Sequence, residues 1–382
     1  MKFNSKAEIH LTHDLAKTVL EILGSESSTG AGVIVDSNMA AHAEVVALFN
    51  ALREKKLLGH VFQFQSYEPT TDLVDQVAAE FRGGSADFLI GIGGGSTLDL
   101  AKAVSAMAVM AGKVTDYHGT PRPVTAALKK IMVPTTAGTG SEVTPGAVLV
   151  NTATSFKRAL GGRHICPDYA VLCPALTLGM PVKVMVATGM DAMAHAIESY
   201  TAKCANTVTR MYARQSFRLV ARTLSRALHS PNDLAIREEL LLGSCLAGYS
   251  IYNSNTGACH ALAYPLGIYH KVPHGVAVAL ILPHVIGHNV RHGCDLYADL
   301  LLELEGQNGK SASRAEMAAA FSCFVAGLEP LRALDARLGH YGIDSGRVPF
   351  LAERGLDLVS ALSNNPVPFG LADADTVLRQ IL

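Results

Sequence analysis

The chain has 382 residues, and its 32 lysines and arginines nearly balance its 33 aspartates and glutamates. This balance leaves no strong basic field to hold a nucleic acid. Hydrophobic residues make up 49% of the chain and charged residues only 17%. A chain this long and apolar can bury a large core. Its few charges also suit a buried subunit interface.

The N-terminal segment and the cysteines indicate a cytoplasmic protein. The first 13 residues are polar and do not resemble a secretory signal peptide. No uninterrupted apolar stretch reaches the length of a membrane span, because His274 and Pro283 interrupt the longest candidate, Val272–Val285. The seven cysteines are scattered and odd in number, which favours free thiols over a disulfide framework. We therefore expect no membrane partner.

In chain order, the first 180 residues alternate between short apolar segments and longer amphipathic ones. The predicted strands are Ala31–Val35, His60–Phe64, Asp87–Ile92, Lys130–Val133, Ala147–Val150 and Ala170–Leu172. The predicted helices between the early strands are Met39–Lys55, Thr71–Phe81 and Thr97–Met110. Alternation of strands and helices predicts crossover connections, and therefore an α/β domain with a mostly parallel sheet.

From Pro181 onward the strand pattern disappears. Long apolar segments with helical periodicity take its place at Val182–Lys203, Val208–Leu228, Leu234–Tyr252, Val276–His288 and Ala315–Leu338. We therefore expect two domains: an α/β domain over residues 1–180 and an all-helical domain over residues 181–382. Gly306–Lys310 is predicted to be a loop within the second domain.

A glycine-rich turn, Gly93–Ser96, joins the third predicted strand to the helix that begins at Thr97. Glycines let the backbone approach a pyrophosphate closely, and a helix N-terminus offers free N–H groups and a partial positive charge. The turn therefore suits a dinucleotide phosphate. The alternative is a tight strand-to-helix connection that binds no ligand.

A second loop, Pro134–Glu142, follows the next strand and is rich in hydroxyl groups that suit ribose and phosphate oxygens. Two such loops at the carboxyl ends of parallel strands match the place where open α/β sheets bind ligands. Asp36 ends the first predicted strand. An acidic residue there can accept hydrogen bonds from ribose hydroxyls and repel a 2′-phosphate, which favours NAD(H) over NADP(H). Asp36 also suits a cap of the next helix.

In the helical half, Asp191 and His195 lie four residues apart on one predicted helix, so their side chains share a face. Their neighbours are small and apolar. A buried carboxylate and imidazole need a partner, because leaving them unpaired is costly. That partner is either a metal ion or an internal salt bridge, and this pair alone leaves both open. Glu198 shares the same face, where it either orients a ligand or stabilises the helix.

Two further histidines strengthen the case for a metal. His260 and His274 are fourteen residues apart, with Pro265, Gly267 and Pro273 between them, so the chain can turn back and direct both imidazoles at one point. Three histidines and one aspartate are suitable ligands for iron(II) or zinc, and acceptable ones for manganese. Each histidine taken singly is more often structural.

Five segments together resemble the signature segments of the iron-containing (group III) alcohol dehydrogenases. They are Gly93–Lys102 (GGGSTLDLAK), Pro134–Val143 (PTTAGTGSEV), Gly189–Tyr200 (GMDAMAHAIESY), His260–Gly267 (HALAYPLG) and His274–His284 (HGVAVALILPH). The resemblance covers nearly the whole chain, and it implies a homodimer or larger homo-oligomer. It implies a dinucleotide-binding α/β domain followed by a helical domain, with the active site in the cleft between them.

The resemblance also implies the site residues. One divalent metal ion, foremost iron(II) with zinc or manganese as alternatives, would be held by Asp191, His195, His260 and His274. NAD(H) would be held by Asp36, Gly93, Gly94, Gly95, Ser96, Asp99, Thr135, Thr136, Thr139 and Lys157. The implied reaction is hydride transfer between the nicotinamide and an aldehyde whose oxygen the metal polarises, or the reverse oxidation of a primary alcohol.

The chain departs from the family pattern at the position of a suggested proton relay. Many members have a histidine where this chain has Tyr264. The predicted proton donors are therefore Tyr264 and His270, with bulk water as the alternative.

A second departure concerns the segment that borders the substrate pocket in this family. It is unusually polar here, so Asn253, Asn255 and Thr256, with Arg163, are predicted to contact a small polar or anionic aldehyde. The chain looks most like the branch that reduces sulfoacetaldehyde to isethionate with NADH. Phosphonoacetaldehyde and other short-chain aldehydes or diols are alternatives.

Two other classes of protein remain alternatives. Sugar-phosphate cyclases, which are lyases, share the fold, use NAD and bind a metal, but they use a different ligand set surrounded by several Lys and Arg residues. The lack of a basic cluster near His260–His274 argues against them. A non-catalytic, NAD-holding protein would not need four intact metal ligands.

Overall fold

The computed structural model describes residues 3–65, 67–154, 156–305 and 312–382. The predicted loop Gly306–Lys310 lies outside the described residues. The chain divides into two compact units. One is Ser5–Leu178, and the other is Gly179–Leu382 together with the N-terminal residues up to Asn4.

The first unit alternates strands and helices, as predicted. Its strands are β1 (Glu8–Leu11), β2 (Ala31–Asp36), β3 (Leu58–Phe64), β4 (Phe88–Gly93), β5 (Lys129–Pro134), β6 (Gly146–Asn151), β7 (Phe156–Gly161) and β8 (Tyr169–Leu172). Its helices are α1 (Leu15–Ser25), α2 (Ala43–Glu54), α3 (Thr71–Phe81) and α4 (Gly95–Met107). Six strands form a parallel sheet in the order β1-β8-β5-β4-β2-β3, and β6 and β7 form an antiparallel hairpin.

The central strands are apolar throughout because both faces of the sheet are covered. Every residue of β2 and β4 is buried. Leu89 of β4 belongs to one hydrophobic cluster and its neighbour Ile90 to another, so alternate residues feed opposite sides of the sheet. Continuous apolar runs are typical of such doubly covered parallel strands.

The strand order also creates a place for a ligand. From β2 the chain passes to β3 on one side, and then returns to place β4 on the other side of β2. The carboxyl ends of β2 and β4 therefore flank a topological switch point, which is where open α/β sheets bind ligands. Asp36 ends β2 and Gly93 ends β4.

The second unit is helical over its described residues, which confirms the predicted fold class. Its helices are α5 (Val182–Thr201), α6 (Thr207–His229), α7 (Leu234–Ser254), α8 (Ala258–His270), α9 (His274–Arg291), α10 (Tyr297–Glu305), α11 (Arg314–Ala326), α12 (Glu329–Leu334), α13 (Val348–Gly355), α14 (Val359–Leu362) and α15 (Leu371–Arg379). Polar caps begin several of them: Asn206 caps α6 and Asp233 caps α7 through side-chain hydrogen bonds to backbone N–H groups.

Some elements were not predicted, for physical reasons. Strand β1 has only four residues at the edge of the sheet, and β7 carries two basic residues, so neither shows a clear apolar pattern. Helix α8 contains Pro265, a residue that usually ends a helix. The predicted strand Ala147–Val150 is β6, which belongs to the hairpin rather than to the parallel sheet.

The predicted helix Ala315–Leu338 is two helices. Helix α11 ends at Ala326 and α12 begins at Glu329, with Gly327 and Leu328 between them. By length and composition alone, the described segment Arg314–Leu334 would be apolar enough to cross a membrane. The break leaves helices of 13 and 6 residues, each shorter than the roughly 20 residues that a span needs. This segment is therefore weak evidence for a membrane protein.

Candidate metal centre and nucleotide-binding loops

Helix α5 carries two of the predicted metal ligands on one buried face. Asp191 is 3% exposed and His195 is 6% exposed. Their spacing of one helical turn places His195 Nε2 3.9 Å from Asp191 Oδ1. The surrounding residues from Met190 to Thr201 are all buried, so water cannot solvate these two polar groups freely.

Helices α8 and α9 supply the other two histidines. His260 lies in the first turn of α8, and His274 is the first residue of α9. The chain reverses at Lys271, whose φ of 58° is left-handed, and at Pro273, which precedes α9. The sequence predicted that Pro265, Gly267 and Pro273 all help the chain to turn back. Pro265 instead lies inside α8, so it does not form the turn.

A close approach of two helices positions His274. A Cβ atom on Gly275 would lie 2.4 Å from the carbonyl oxygen of Ala187 on α5. Only glycine allows α9 to begin this close to the backbone of α5. The first turn of α9 therefore delivers His274 to the face that carries Asp191.

The three histidine side chains converge on one carboxylate oxygen of Asp191. Asp191 Oδ1 lies 3.3 Å from His260 Nε2, 3.6 Å from His274 Nε2 and 3.9 Å from His195 Nε2. The rings of His195 and His260 stack with centroids 4.5 Å apart. The structure therefore brings all four predicted ligands together.

These spacings fit one shared metal ion. Four donors at about 2.1 Å from an ion in a tetrahedral arrangement lie about 3.4 Å from one another. Ligand atoms of Asp191, His195 and His260 all lie within 4.8 Å of one another. His274, with 36% of its side chain exposed, is the accessible member of an otherwise buried set. The donor set and its spacing match a metal centre with one open side.

Electrostatics within the cluster are strong. Burial alone would raise the pKa of Asp191, but His195, His274 and His260 outweigh it and hold that pKa well below its usual range. Burial alone would lower the pKa of His260, but the carboxylates of Glu198 and Asp191 raise it to about 10. A metal ion at Nε2 of His260 would therefore have to compete with a proton for that nitrogen.

The two predicted proton donors lie at different distances from this cluster. Tyr264 follows His260 by one turn of α8, and its ring meets the ring of His274 edge-on with centroids 6.1 Å apart. His270 lies ten residues beyond His260, which is about 15 Å along the helix axis. Its Nε2 accepts a hydrogen bond of 3.4 Å from Arg347. Tyr264 is therefore the predicted donor whose ring lies against a member of the cluster.

The predicted substrate residues differ in their local surroundings. The side-chain amide of Asn253 accepts from the backbone N–H of Asn4 at 2.6 Å and donates to the carbonyls of Asn4 and Tyr249. Asn253 therefore anchors the N-terminal segment. Asn255, exposed and left-handed with φ 64°, and Thr256 connect α7 to α8. Arg163 is exposed in the α/β unit.

In the α/β unit, the two predicted phosphate loops pack against each other. The N–H of Thr135 donates to the carbonyl of Gly93 at 3.0 Å, and a Cβ on Gly95 would lie 2.7 Å from Thr139 Cγ2. Gly94 precedes α4 and makes no side-chain cap, which leaves that helix N-terminus open to an anion. Ser96 and Thr136 are half-buried in the same loops.

Asp36 lies at the carboxyl end of β2, as predicted, and is 9% exposed. Its Oδ1 accepts hydrogen bonds from the backbone N–H of Asn38 at 2.9 Å and from the Asn38 side chain at 3.1 Å. These bonds hold the turn after β2 and do not cap the next helix, because α2 begins at Ala43 and its N-cap is His42. The position beside the switch point is also the one from which a carboxylate can contact an adenosine ribose.

Asp99 and Lys157, two predicted cofactor contacts, make salt bridges. Asp99 accepts from the Ser141 hydroxyl at 2.6 Å and from the Val148 N–H at 2.9 Å, and pairs with the fully buried Lys102 at 2.9 Å. Asp99 thus fastens α4 to the second loop. Lys157 pairs with Glu68.

One buried carboxyl group in this region was not predicted. Glu142, the last residue of the second loop, is 1% exposed, and its Oε1 has no hydrogen-bond partner among the described residues. Burial raises the pKa of Glu142 to about 7, although Lys102 opposes the shift. Nothing in the local sequence pattern separates this glutamate from an exposed loop residue.

Comparison with known families decides the class of the protein. Residues 8–174 match the model of the iron-containing alcohol dehydrogenases, and residues 185–382 match the model of their C-terminal region. The chain belongs to the iron-containing alcohol dehydrogenase family. It is therefore an oxidoreductase that acts on alcohols.

Individual relatives differ in the substrates that their names give. The chain is 34% identical to long-chain-alcohol dehydrogenase 1 of Geobacillus thermodenitrificans, over 89% of this chain and 86% of that protein. It is 30% identical to sulfoacetaldehyde reductase of Bilophila wadsworthia, over 92% and 90% respectively.

The solved structures that resemble this chain also differ in the substrates that their names give. The crystal structure of a 1,3-propanediol oxidoreductase matches with a TM-score of 0.92 at 30% identity, over 100% of both chains. The structure of sulfoacetaldehyde reductase from Bifidobacterium kashiwanohense in complex with NAD+ matches with a TM-score of 0.86 at 25% identity, over 100% of this chain and 98% of that one. These comparisons establish the reaction class and leave the substrate open.

Proposed function

We propose that this protein interconverts an aldehyde and its primary alcohol with NAD(H), using one divalent metal ion held by Asp191, His195, His260 and His274. The observation that carries the proposal is the convergence of three imidazole nitrogens on one oxygen of a buried carboxylate. Such a set is expensive to bury without a cation that all four groups share. Iron(II) is the first metal to test because of the family, with zinc and manganese as alternatives.

The metal, when bound, supplies a Lewis acid for the substrate oxygen, and NADH supplies the hydride. The residues of the chain then have separate tasks. Asp191 offsets part of the cation's charge, and the partly exposed His274 borders the open side. Tyr264 packs against His274, so we assign proton transfer to its hydroxyl or to water, in preference to His270.

For NAD(H), we propose binding across the carboxyl ends of β2, β4 and β5. Gly94 and Gly95 present the open N-terminus of α4 to the pyrophosphate, with Thr135, Thr136 and Thr139 beside it. Asp36 would bind the adenosine ribose and exclude a 2′-phosphate. The related sulfoacetaldehyde reductase structure contains NAD+, which supports this cofactor. Asp99 would stabilise the second loop through its hydrogen bond from Ser141, without contacting the cofactor.

As substrate we propose a small anionic aldehyde, with sulfoacetaldehyde first and isethionate as its product. The sulfoacetaldehyde reductase relative supports this choice. Asn253 does not, because its amide is engaged with Asn4 and Tyr249. Asn255 and Thr256 directly precede the helix that carries His260, so they are the polar groups in this segment to test as anion contacts.

We also expect a homo-oligomer in a reducing cytoplasm. All seven cysteines have free thiols, which suits a reducing compartment, and five of them are buried: Cys166, Cys173, Cys245, Cys259 and Cys294. Sedimentation of the purified protein would measure the oligomeric state.

One experiment tests the proposal. The protein is stripped of metal, reloaded with iron(II), zinc or manganese, and assayed for NADH oxidation with sulfoacetaldehyde, phosphonoacetaldehyde, 3-hydroxypropanal and unsubstituted aldehydes of short and long chain. We expect turnover only after metal is added, and the highest kcat/KM with sulfoacetaldehyde. Absence of NADH oxidation with every combination of metal and aldehyde would refute the enzyme proposal. Equal kcat/KM for acetaldehyde would refute the anionic substrate alone.

A further inference from the structure

Glu198 lies on α5 one turn beyond His195. It is only 6% exposed, yet its two carboxylate oxygens both contact α8. Oε1 accepts a hydrogen bond from the backbone N–H of Cys259 at 2.7 Å, and Oε2 lies 2.5 Å from Nδ1 of His260. Glu198 on α5 thus contacts both the backbone of α8 and the side chain of a proposed metal ligand on α8.

The contact with Cys259 completes the start of α8. The residue before this helix is Gly257, which has no side chain to cap the free N–H groups of the first turn. Glu198 supplies the missing acceptor from a different helix. Its negative charge at a helix N-terminus is also favourable, because the first turn carries a partial positive charge.

The contact with His260 determines which ring nitrogen faces the metal site. An ionised carboxylate only accepts hydrogen bonds, so the Nδ1 atom opposite Glu198 must carry a hydrogen. In the neutral ring, Nε2 then has the lone pair. That atom is the one 3.3 Å from Asp191 Oδ1. Glu198 therefore selects the tautomer of His260 that can bind a metal through Nε2.

Gly257 is needed for this arrangement. A Cβ atom at this position would lie 2.9 Å from Oε1 and 3.2 Å from Cδ of Glu198. Any larger residue would push the carboxylate away from α8. The glycine and the glutamate therefore form one structural unit, although 59 positions separate them in the chain.

We propose that Glu198 is a positioning residue of the metal centre, which fixes the tautomer and the orientation of His260 while it anchors the start of α8. The proposal rests on the proposed function, because it requires that Asp191, His195, His260 and His274 bind a metal. Carboxylates that orient a metal-binding histidine typically contribute about 10- to 100-fold to metal affinity.

The test compares Glu198→Gln with Glu239→Gln, a matched control whose carboxylate pairs with Arg226 on the surface of the helical unit. Glutamine keeps the size of the side chain. The glutamine amide has only one acceptor oxygen and no charge. In either orientation its NH2 group therefore faces one of the two donors on α8, the Cys259 N–H or the His260 Nδ1–H. Zinc affinity by chelator competition, the visible spectrum of the cobalt(II) form, NADH affinity and the Tm of the metal-free protein are measured on each variant.

We expect Glu198→Gln to bind zinc about 10- to 100-fold more weakly and to shift the cobalt spectrum, with NADH affinity unchanged and Glu239→Gln like the wild type. A lower Tm with unchanged zinc affinity would overturn the proposal and leave Glu198 as a helix cap only. If Glu198→Gln fails to fold, Gly257→Ala decides, because it displaces the carboxylate without removing it. Wild-type protein that binds no zinc would refute the proposed function instead.

Discussion

The proposed metal cluster and the proposed nucleotide loops are built by opposite means. Functional atoms of the metal cluster are the ends of side chains that project from buried helices, such as Asp191 on α5 and His260 on α8. In the nucleotide loops they are backbone groups, exposed because Gly94 and Gly95 have no side chain. The first site depends on which side chains are present, and the second depends on which are absent.

This difference determines how each site responds to substitution. Removing a ligand from the metal cluster leaves buried polar groups without a partner, which costs much more than the lost contact. Adding a methyl group to a loop glycine costs only the free energy needed to shift the neighbouring threonine side chains. The same types of substitution should therefore have different sizes of effect in the two units.

The largest effect is expected for His260→Ala. The substitution removes a predicted metal ligand and takes from the buried Glu198 and Asp191 the imidazole that each contacts. Loss of Lewis-acid stabilisation is worth several kcal/mol, so metal-dependent kcat/KM should fall by about 1,000-fold or more, with NADH affinity retained. Steady-state kinetics, metal analysis and NADH titration measure this, with the exposed His229→Ala as control. Full activity in metal-free His260→Ala would show that these residues are not the ligands.

Gly275→Ala should have the next largest effect. The new Cβ would lie 2.4 Å from the Ala187 carbonyl oxygen, which is backbone and cannot rotate away. Helix α9 must shift and take His274 with it, at a cost of about 1–3 kcal/mol, or about 5- to 150-fold in metal affinity. Gly267→Ala is the control, because its nearest contact is an ordinary 3.6 Å. Equal zinc affinities for the two variants would mean that the close helix contact does not position His274.

Gly95→Ala should have a smaller effect, and on the other site. Its Cβ would meet Thr139 Cγ2 at 2.7 Å, but that methyl group is the end of a side chain and can move. We expect NADH to bind about 5- to 10-fold more weakly, as about 1 kcal/mol of overpacking predicts, with zinc affinity unchanged.

Two further variants complete this experiment. Gly24→Ala has no neighbouring atom within 4 Å of its new Cβ and should bind NADH like the wild type. Thr139→Ser removes the clashing methyl group, so in the double variant it should restore part of the affinity. A double variant no better than Gly95→Ala would show that the effect does not pass through Thr139.

What could be predicted from the sequence follows the same division. The order of an α/β unit followed by a helical unit was predictable because apolar runs such as β2 and β4 are long and bounded by turns. The shared helix face of Asp191 and His195 was predictable from their spacing, whereas the proposed four-ligand set also needed His260, His274 and the resemblance to the family. Short edge strands such as β1 and the proline-containing helix α8 were not, because local pattern and tertiary context disagree there.

Contacts between distant residues were also beyond local pattern. Asn253 is bound to Asn4, which is 249 positions away, so one residue that was predicted to contact substrate is engaged with the N-terminal segment. The tie from Asp99 to Ser141 spans 42 positions. Only the folded chain shows which polar groups are already engaged.

A last prediction concerns Glu142, and its effect is on the stability of the fold rather than on the function of either site. Its pKa is raised by burial from 4.5 to about 7, so the folded protein holds a proton that the unfolded chain has already released at pH 5 to 7. Stability therefore decreases as pH rises through this window and becomes constant above it. At about 1.4 kcal/mol per pH unit, the greatest possible loss is about 3 kcal/mol.

Glu142→Gln should remove this dependence, because an amide of the same shape does not titrate. The variant should gain stability over the wild type as pH rises from 5 to 8, since only the wild type then has to ionise a buried carboxyl group whose Oε1 has no hydrogen-bond partner among the described residues. Urea unfolding at each pH measures the difference, with exposed Glu54→Gln as the control. Parallel pH profiles for wild type and Glu142→Gln would mean that Glu142 ionises normally. Its burial under the nucleotide loop would then be compensated, most directly by the neighbouring Lys102 ammonium group.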